Sequence, residues 1–264
     1  MTVTQTCQNE ITRLYDSGMS GYKIAAQFNL PWRKVYKILA KQNVGIRSNS
    51  EISRMKYPIN ISFFDTWSPI MAYWLGFLCA DGCLYKNYLS IGLQPRDEGH
   101  LEKLRLALGS AHSFKKYKRS NNTFSPGSEY YRFCVGCEPI ANRLTELGFR
   151  DFKLGNPKLI LLIPDNLFSH WLRGMTDGDG TVCFIKSQYP CWRLVNNCES
   201  ILSETANRIN ILFGEYLRVY RSRKIFVITC KRRKGMRLLD RMYKNNFVAL
   251  DRKKKAYEII KSTY

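Results

Sequence analysis

Residues 74–82 read WLGFLCADG, and residues 172–180 read LRGMTDGDG. Each is a helical stretch that runs into an acidic, glycine-bearing stop. Ser68 as cap and Pro69 at the first helical position start the first helix well. That helix is expected to run through IMAYWLGFLCA and to stop at Asp81-Gly82. Asp165 is expected to cap the second, which runs through SHWLRGMTD and stops at Asp179-Gly180. The two final aspartates are 179 − 81 = 98 residues apart. A helix C-terminus already carries partial negative charge, so a carboxylate there is disfavoured, and its recurrence asks for a cause.

The text downstream of each copy also repeats. After the first come alternating segments, CLYKNYLSIGL, consistent with a hairpin turning near Lys86-Asn87. A helix from Asp97 to Leu108 follows, then strand-like AHSFKKYK and EYYRFCV, and a helix from Pro139 to Leu147. After the second come TVCFIK and WRLVNNC, a helix from Ser200 to Phe213, strands YLRVYRS and KIFVITC, and a helix near Met236 to Tyr243. Both halves read helix, hairpin, helix, hairpin, helix. A repeat this long points to a pseudo-dimer within one chain, with halves at 68–155 and 156–264.

Gly76 and Ala80 lie four apart on one helix face, and Gly174 and Gly178 are their counterparts. Small residues at this spacing let two helices approach backbone to backbone. Paired in this way, the helices set Asp81 and Asp179 side by side at the same end. Two adjacent acids at helix C-termini are unfavourable unless one keeps its proton or a cation sits between them. Oxygen-only ligands suit magnesium, which retains waters and binds phosphate. With a basic surface, the set points to metal-assisted phosphodiester hydrolysis.

The 264 residues carry 42 lysines and arginines against 21 acids, a formal charge of +21. That balance calls for a polyanionic partner, nucleic acid first and anionic membrane second. Apolar content of 45% supports a real core and excludes wholesale disorder. The longest apolar run, Ile70 to Ala80, is too short for a membrane span. MTVTQTCQNE lacks a basic start followed by an apolar stretch, so no export signal is read. Nine cysteines without a framework read as reduced thiols in a cytosol-like compartment, bacterial, phage-host or organellar. The CxxC at Cys134 and Cys137 has no second partner pair at zinc-site spacing.

Residues 1–47 look separable. Gln8 to Asp16 has helical spacing, with Ile11, Leu14 and Tyr15 on one face. Ser17-Gly18 ends it, and Ser20 caps a second helix to about Phe28. After the turn Asn29-Leu30-Pro31, a third helix from Trp32 to Lys41 carries Arg33, Lys34 and Lys37 on its polar side. The three helices resemble a resolvase-type helix-turn-helix module, which would place those cations against DNA. Residues 48–67 are expected to form a polar linker.

The paired stretches resemble the two motifs of a LAGLIDADG homing endonuclease in its single-chain, two-motif form, and AYWLGFLCADG, HWLRGMTDGDGTV and ALDRKKKAYEII are similar to that family's text. The resemblance covers roughly residues 57 to 260. It implies an α+β fold of two pseudo-symmetric αββαββα halves, whose antiparallel sheets form a saddle over double-stranded DNA. It implies that the last acid of each motif, Asp81 and Asp179, is catalytic and holds Mg2+ or another divalent ion such as Mn2+. The earlier motif acid is Asp177 in the second copy and Cys79 in the first, and it is read as supporting rather than ligating. Trp74 and Arg173 depart from the usual motif residues and are expected to face away from the helix pair. The family places basic residues near the metals: Lys231 is the candidate in the second half, and the matching strand of the first half, YYRFCVGC, offers only Arg132, which would make the site asymmetric. Strand alternation nominates Lys86, Asn87, Lys116, Lys118, Lys186, Gln188, Arg193, Arg221 and Arg223 for DNA contacts. Between Arg218 and Arg237 there are nine basic residues and no acid, which suits phosphate tracking.

The expected activity is site-specific double-strand cleavage by a monomer, across the minor groove, leaving short 3′ overhangs and spreading a mobile intron. The rivals are an RNA maturase that binds its own intron RNA and a non-catalytic DNA-binding regulator on the same scaffold. An intein is disfavoured, because the chain lacks a leading nucleophile and a terminal His-Asn.

Overall fold

The computed structural model describes residues 3–120, 125–185, 189–244 and 248–264. The chain divides into two compact units, Met1–Pro58 and Ile59–Tyr264.

In the first unit, helices α1 (Gln5–Asp16), α2 (Gly21–Gln27) and α3 (Trp32–Lys41) close around Ile11, Tyr15, Ile24, Val35, Ile38 and Leu39. Ser20 caps α2 by accepting from the Lys23 amide at 3.3 Å. Helix α3 begins one residue past Pro31, whose missing N–H costs nothing at a helix start. The segment expected to be a linker contains a further helix, α4 (Asn49–Lys56). Its start is a capping box: the Ser48 amide donates to Glu51 at 2.6 Å, and the Glu51 amide donates to Ser48 Oγ at 3.2 Å.

The second unit repeats one plan. The first pass is α5 (Pro69–Asp81), β1 (Gly82–Tyr85), β2 (Tyr88–Leu93), α6 (Glu98–Ala107), β3 (Lys115–Lys118), β4 (Glu129–Gly136) and α7 (Glu138–Glu146), with short helices α8 (Phe149–Lys153) and α9 (Lys158–Leu161) after it. The second is α10 (Phe168–Asp179), β5 (Gly180–Ile185), β6 (Tyr189–Asn196), α11 (Glu199–Phe213), β7 (Tyr220–Ser222), β8 (Ile225–Lys231) and α12 (Arg232–Tyr243), closed by α13 (Asp251–Thr263). Each half builds a four-stranded antiparallel sheet, in the orders β1-β2-β4-β3 and β5-β6-β8-β7. The αββαββα plan is therefore present twice.

Residues directly opposite in an antiparallel ladder share a face. The register Gly82↔Ile91↔Phe133 in one sheet matches Gly180↔Leu194↔Ile228 in the other. Ile91, Phe133, Leu194 and Ile228 are core residues. The helices cover that face of each sheet, and the alternate positions form the other, open face. The turn Lys86-Asn87 joins β1 to β2, with Lys86 at φ +49°, as a two-residue hairpin demands.

One expectation is corrected. Asp165 does not cap α10; it opens a 3-10 turn ahead of the helix, and its carboxylate takes Arg208 Nη2 at 2.8 Å. Trp74 and Arg173, both about 1% exposed, are enclosed by elements beyond the motif helices. Trp74 packs against Tyr73, Phe77 and His100. Arg173 donates to the carbonyls of Val248 at 2.9 Å and Met242 at 2.8 Å, tying the end of α12 to the motif helix.

Candidate active site

The site starts where α5 and α10 touch. A Cβ built on Gly76 would overlap the Trp171 carbonyl oxygen. One built on Gly174 would overlap the Tyr73 carbonyl oxygen and stand 2.6 Å from the Phe77 amide nitrogen. One on Gly178 would overlap Ala80 Cβ and lie 3.1 Å from Asp81 Oδ2. The four small residues read from the sequence are thus the contact surface of two parallel helices. Their approach brings the last turn of α10 to Asp81, so both acids stand at one end of the pair.

The protein crowded around the two acids makes ionisation costly there, although Asp81 is exposed and Asp179 half-buried. The Asp81 carboxyl is pushed up to about 6, first by loss of hydration within the surrounding protein and then by the charge of Asp179. Asp179 is raised as well, by loss of hydration. The charges that oppose these shifts come from Lys153 and Lys253, and for Asp81 from Arg252 also.

Lys153 and Lys253 were not among the residues singled out from the sequence. Lys153 Nζ, from the end of α8, donates to the Ala80 carbonyl at 2.9 Å. Lys253 Nζ, from α13, is buried and donates to the carbonyls of Thr176 at 2.5 Å, Asp177 at 2.7 Å, Gly180 at 2.8 Å and Gly178 at 3.3 Å. Each ammonium therefore occupies the negative end of one motif helix, where a cation is favoured. Burial pulls Lys253 down to about 8, against the attraction of Asp177 and the two motif acids. A sequence signal existed: 153 − 81 = 72 and 253 − 179 = 74, a lysine at nearly matched distance after each motif.

Lys231, the sequence candidate, stands at the exposed end of β8 on the open face, opposite Cys191. Gly180 registers with Ile228, so Lys231 lies three residues further along the strand and two strands away. The matched register pairs Lys231 with Gly136, not with Arg132. Arg132 lies on the open face of the first sheet, where Nη2 donates to Ser90 Oγ at 3.2 Å.

Asp177 is about 1% exposed and structural. It accepts from Tyr243 Oη at 2.6 Å, Tyr73 Oη at 2.7 Å and the Leu250 amide at 2.7 Å. Replacing it with alanine strands three buried donors, with an expected loss of about 3 kcal/mol or more. Thermal unfolding of Asp177→Ala within a degree of the parent would refute that role. In the first copy the matching residue is Cys79, a buried thiol pushed up to about 12 by loss of hydration and faced by Trp171, the counterpart of Tyr73.

Among the described residues no group of three or more His, Cys, Asp or Glu side chains converges on a metal position. The acid pair still fits a hard divalent cation, because both donors are carboxylates and the charge of Asp179 raises Asp81, so their joint ionisation is disfavoured. A cavity of about 250 Å³ opens beside Asp179 and Lys153 and gives room for several waters.

The proposed nucleic-acid contacts divide. Arg33, Lys34 and Lys37 lie on α3, with Arg33 and Lys37 exposed. Arg193 is on the open face of the second sheet, opposite Thr229. Lys86, Asn87 and Arg223 sit in hairpin turns. Alternation turns Lys116 and Lys118 to the helix side of the first sheet, opposite Tyr131 and Glu129, and Lys116 pairs with Glu129 at 2.7 Å. Arg221 is likewise opposite Phe226 on the helix side. Lys115 takes the open position instead, opposite Arg132. Lys186 and Gln188 lie outside the described residues.

No family model matches the chain, and no curated protein does. Solved structures do. The homing endonuclease I-WcaI bound to its DNA recognition sequence superposes with a TM-score of 0.55 at 14% identity, covering 81% of this chain and 96% of that one. I-DmoI in complex with DNA and Ca gives 0.47 at 14% identity, over 76% and 99%. The N-terminal LAGLIDADG domain of DUF199/WhiA gives 0.45 at 15% identity, over 69% and 89%. The second unit thus has the two-half fold of LAGLIDADG homing endonucleases.

Proposed function

We propose that the protein is a divalent-metal-dependent, site-specific DNA endonuclease. The observation that carries this reading is the pair Asp81 and Asp179, held at one end of a glycine-packed helix pair between two ammonium groups. The positive charge of the chain and the two open sheet faces support a nucleic-acid partner. The likeness of fold to a DNA-bound homing endonuclease supports the duplex as the form bound.

Asp81 and Asp179 would hold Mg2+ or Mn2+, which when bound supplies the Lewis acidity for attack on a phosphodiester. Lys153 and Lys253 hold the helix ends in place, offset their partial charge and keep the two carboxylates together. Open-face cations such as Arg193 and Arg132 would meet the backbone phosphates. The monomer would cut both strands across the minor groove and leave short 3′ overhangs, and the helix-turn-helix unit would lengthen the target. The same acids argue against a purely regulatory DNA binder, which has no use for a destabilised acid pair.

A pH dependence follows. Asp81 holds its proton up to about pH 6, so below that value a cation must displace the proton. Apparent Mg2+ affinity is expected to fall by roughly tenfold per pH unit below pH 6 and to level off above it. In the metal-free protein the native state holds more protons than the unfolded one between the ordinary carboxylate range and pH 6. Stability therefore declines as pH rises through that window. Titration calorimetry at pH 5 and pH 7 checks the first expectation; equal affinities would contradict it.

A further inference from the structure

The matched registers allow the two open faces to be compared position by position. Tyr85 is three residues past Gly82, and Cys183 is three past Gly180. Tyr85 is opposite Tyr88, whereas Cys183 is opposite Cys191. Tyr130 lies three residues before Phe133 and is opposite Tyr117; Ile225 lies three before Ile228 and is opposite Ser222. Four tyrosines on the first sheet therefore stand where the second has two cysteines, an isoleucine and a serine.

These tyrosines are presented rather than packed away. Tyr85 is 67% exposed, Tyr88 55% and Tyr117 42%. Tyr117 and Tyr130 stack with centroids 5.7 Å apart and planes 26° from parallel. The sheet is cleared beneath two of the rings. A Cβ on Gly136 would meet Tyr88 Cε1 at 2.9 Å, and one on Gly92 would meet Tyr130 Cδ2 at 3.1 Å. Each glycine gives up its side-chain space so that a ring can lean across the strand. Cations frame the patch: the Arg119 guanidinium sits 5.6 Å from the Tyr130 ring centre, and Lys86 Nζ 5.7 Å from that of Tyr85. Lys115 and Arg132 stand side by side on the same face. Among the described residues this face carries no acid, since Glu129 is turned to the helix side.

Two pairs of rings, Tyr85 with Tyr88 and Tyr117 with Tyr130, stand toward opposite ends of this face, six residues apart along β4, among phosphate-seeking cations. That arrangement matches one ligand chemistry, a nucleic-acid strand with unpaired bases. An intact duplex offers base edges in its grooves and keeps its base faces stacked inside, so aromatic faces find little there. An unpaired strand offers both base faces and phosphates. We propose that the open face of the first sheet binds single-stranded nucleic acid, with bases stacked on Tyr85, Tyr88, Tyr117 and Tyr130. This rests on the nucleic-acid reading above but not on cleavage.

The test uses the full chain and fluorescence anisotropy with oligo(dT), oligo(U) and duplex DNA. Tyr88→Ala and Tyr117→Ala should each weaken single-strand binding by roughly 5- to 150-fold, the range for losing one stacked base, and weaken duplex binding by far less. Tyr88→Phe and Tyr117→Phe keep the ring and should bind like the parent. The mirror variant Ser222→Ala should change nothing. Comparison of oligo(U) with oligo(dT) tells whether the strand is RNA or DNA. The proposal is overturned if the parent binds duplex but neither single strand, if the alanine variants bind single strands normally, or if duplex affinity falls in parallel. A parent that binds no nucleic acid in any form overturns the broader reading as well.

Discussion

Asp179→Asn is expected to abolish double-strand cleavage while leaving target binding intact, and Asp81→Asn to do the same. Each substitution keeps the side-chain volume and removes the charge. Because the charge of Asp179 raises Asp81, Asp179→Asn lets Asp81 ionise more readily, and Asp81→Asn removes the more strongly raised acid. The variants should therefore fold at least as well as the parent in the absence of metal. What they lose is one of two hard ligands, and with it several kcal/mol of transition-state stabilisation, or roughly a thousandfold or more in rate. Calorimetry should show weakened Mg2+ binding alongside unchanged DNA affinity. Cleavage at the parent rate by either variant would remove the acids from the chemistry and leave a DNA-binding scaffold.

The sequence carried the site's centre because local rules there are strict. Helix caps, small residues four apart and a stop at Asp-Gly each have a short-range signature, and their recurrence after 98 residues made them a pair. The αββαββα order was legible for the same reason. Long-range partners were not. Lys253 reaches four carbonyls of the α10 terminus from a helix more than 70 residues downstream, and one lysine in a run of three gives no hint of which is buried. Nor does an arginine within a motif announce that it will turn inward, since Arg173 depends on the carbonyls of Met242 and Val248, which only the fold brings near. Face assignment failed at β3 because KKYK has three lysines in four exposed positions and therefore no apolar phase to set its pleat. Helix α4 carries only one local signal, the capping box of Ser48 and Glu51, because its polar composition offers no apolar stripe beside it.

The second large effect belongs to Gly174. Alanine there adds one methyl, ordinarily a small gain for a helix through lower unfolded-state entropy, of about 0.4–1 kcal/mol. Here the added carbon has no space. It would overlap the Tyr73 carbonyl oxygen and sit 2.6 Å from the Phe77 amide nitrogen, and both are backbone atoms of a buried helix that no rotamer change can move. The helices must separate, and in doing so they open the packing around Tyr73, Phe77, Trp171 and Met175, all of them core residues. Gly174→Ala is expected to cost about 4 kcal/mol or more, at the extreme of single-substitution effects, and to fold poorly. Gly76→Ala should act alike, since its Cβ would overlap the Trp171 carbonyl oxygen. Gly45→Ala, with nothing within 4 Å of its added carbon, serves as the control and should be neutral. Denaturant titration compares the three. If Gly174→Ala unfolds at the parent midpoint, the helices do not meet backbone to backbone, and the placement of Asp81 beside Asp179 falls with them. If it folds but with the helices spread, Mg2+ affinity should drop although both carboxylates remain, because the pair binds a cation only while the glycines hold its two halves together.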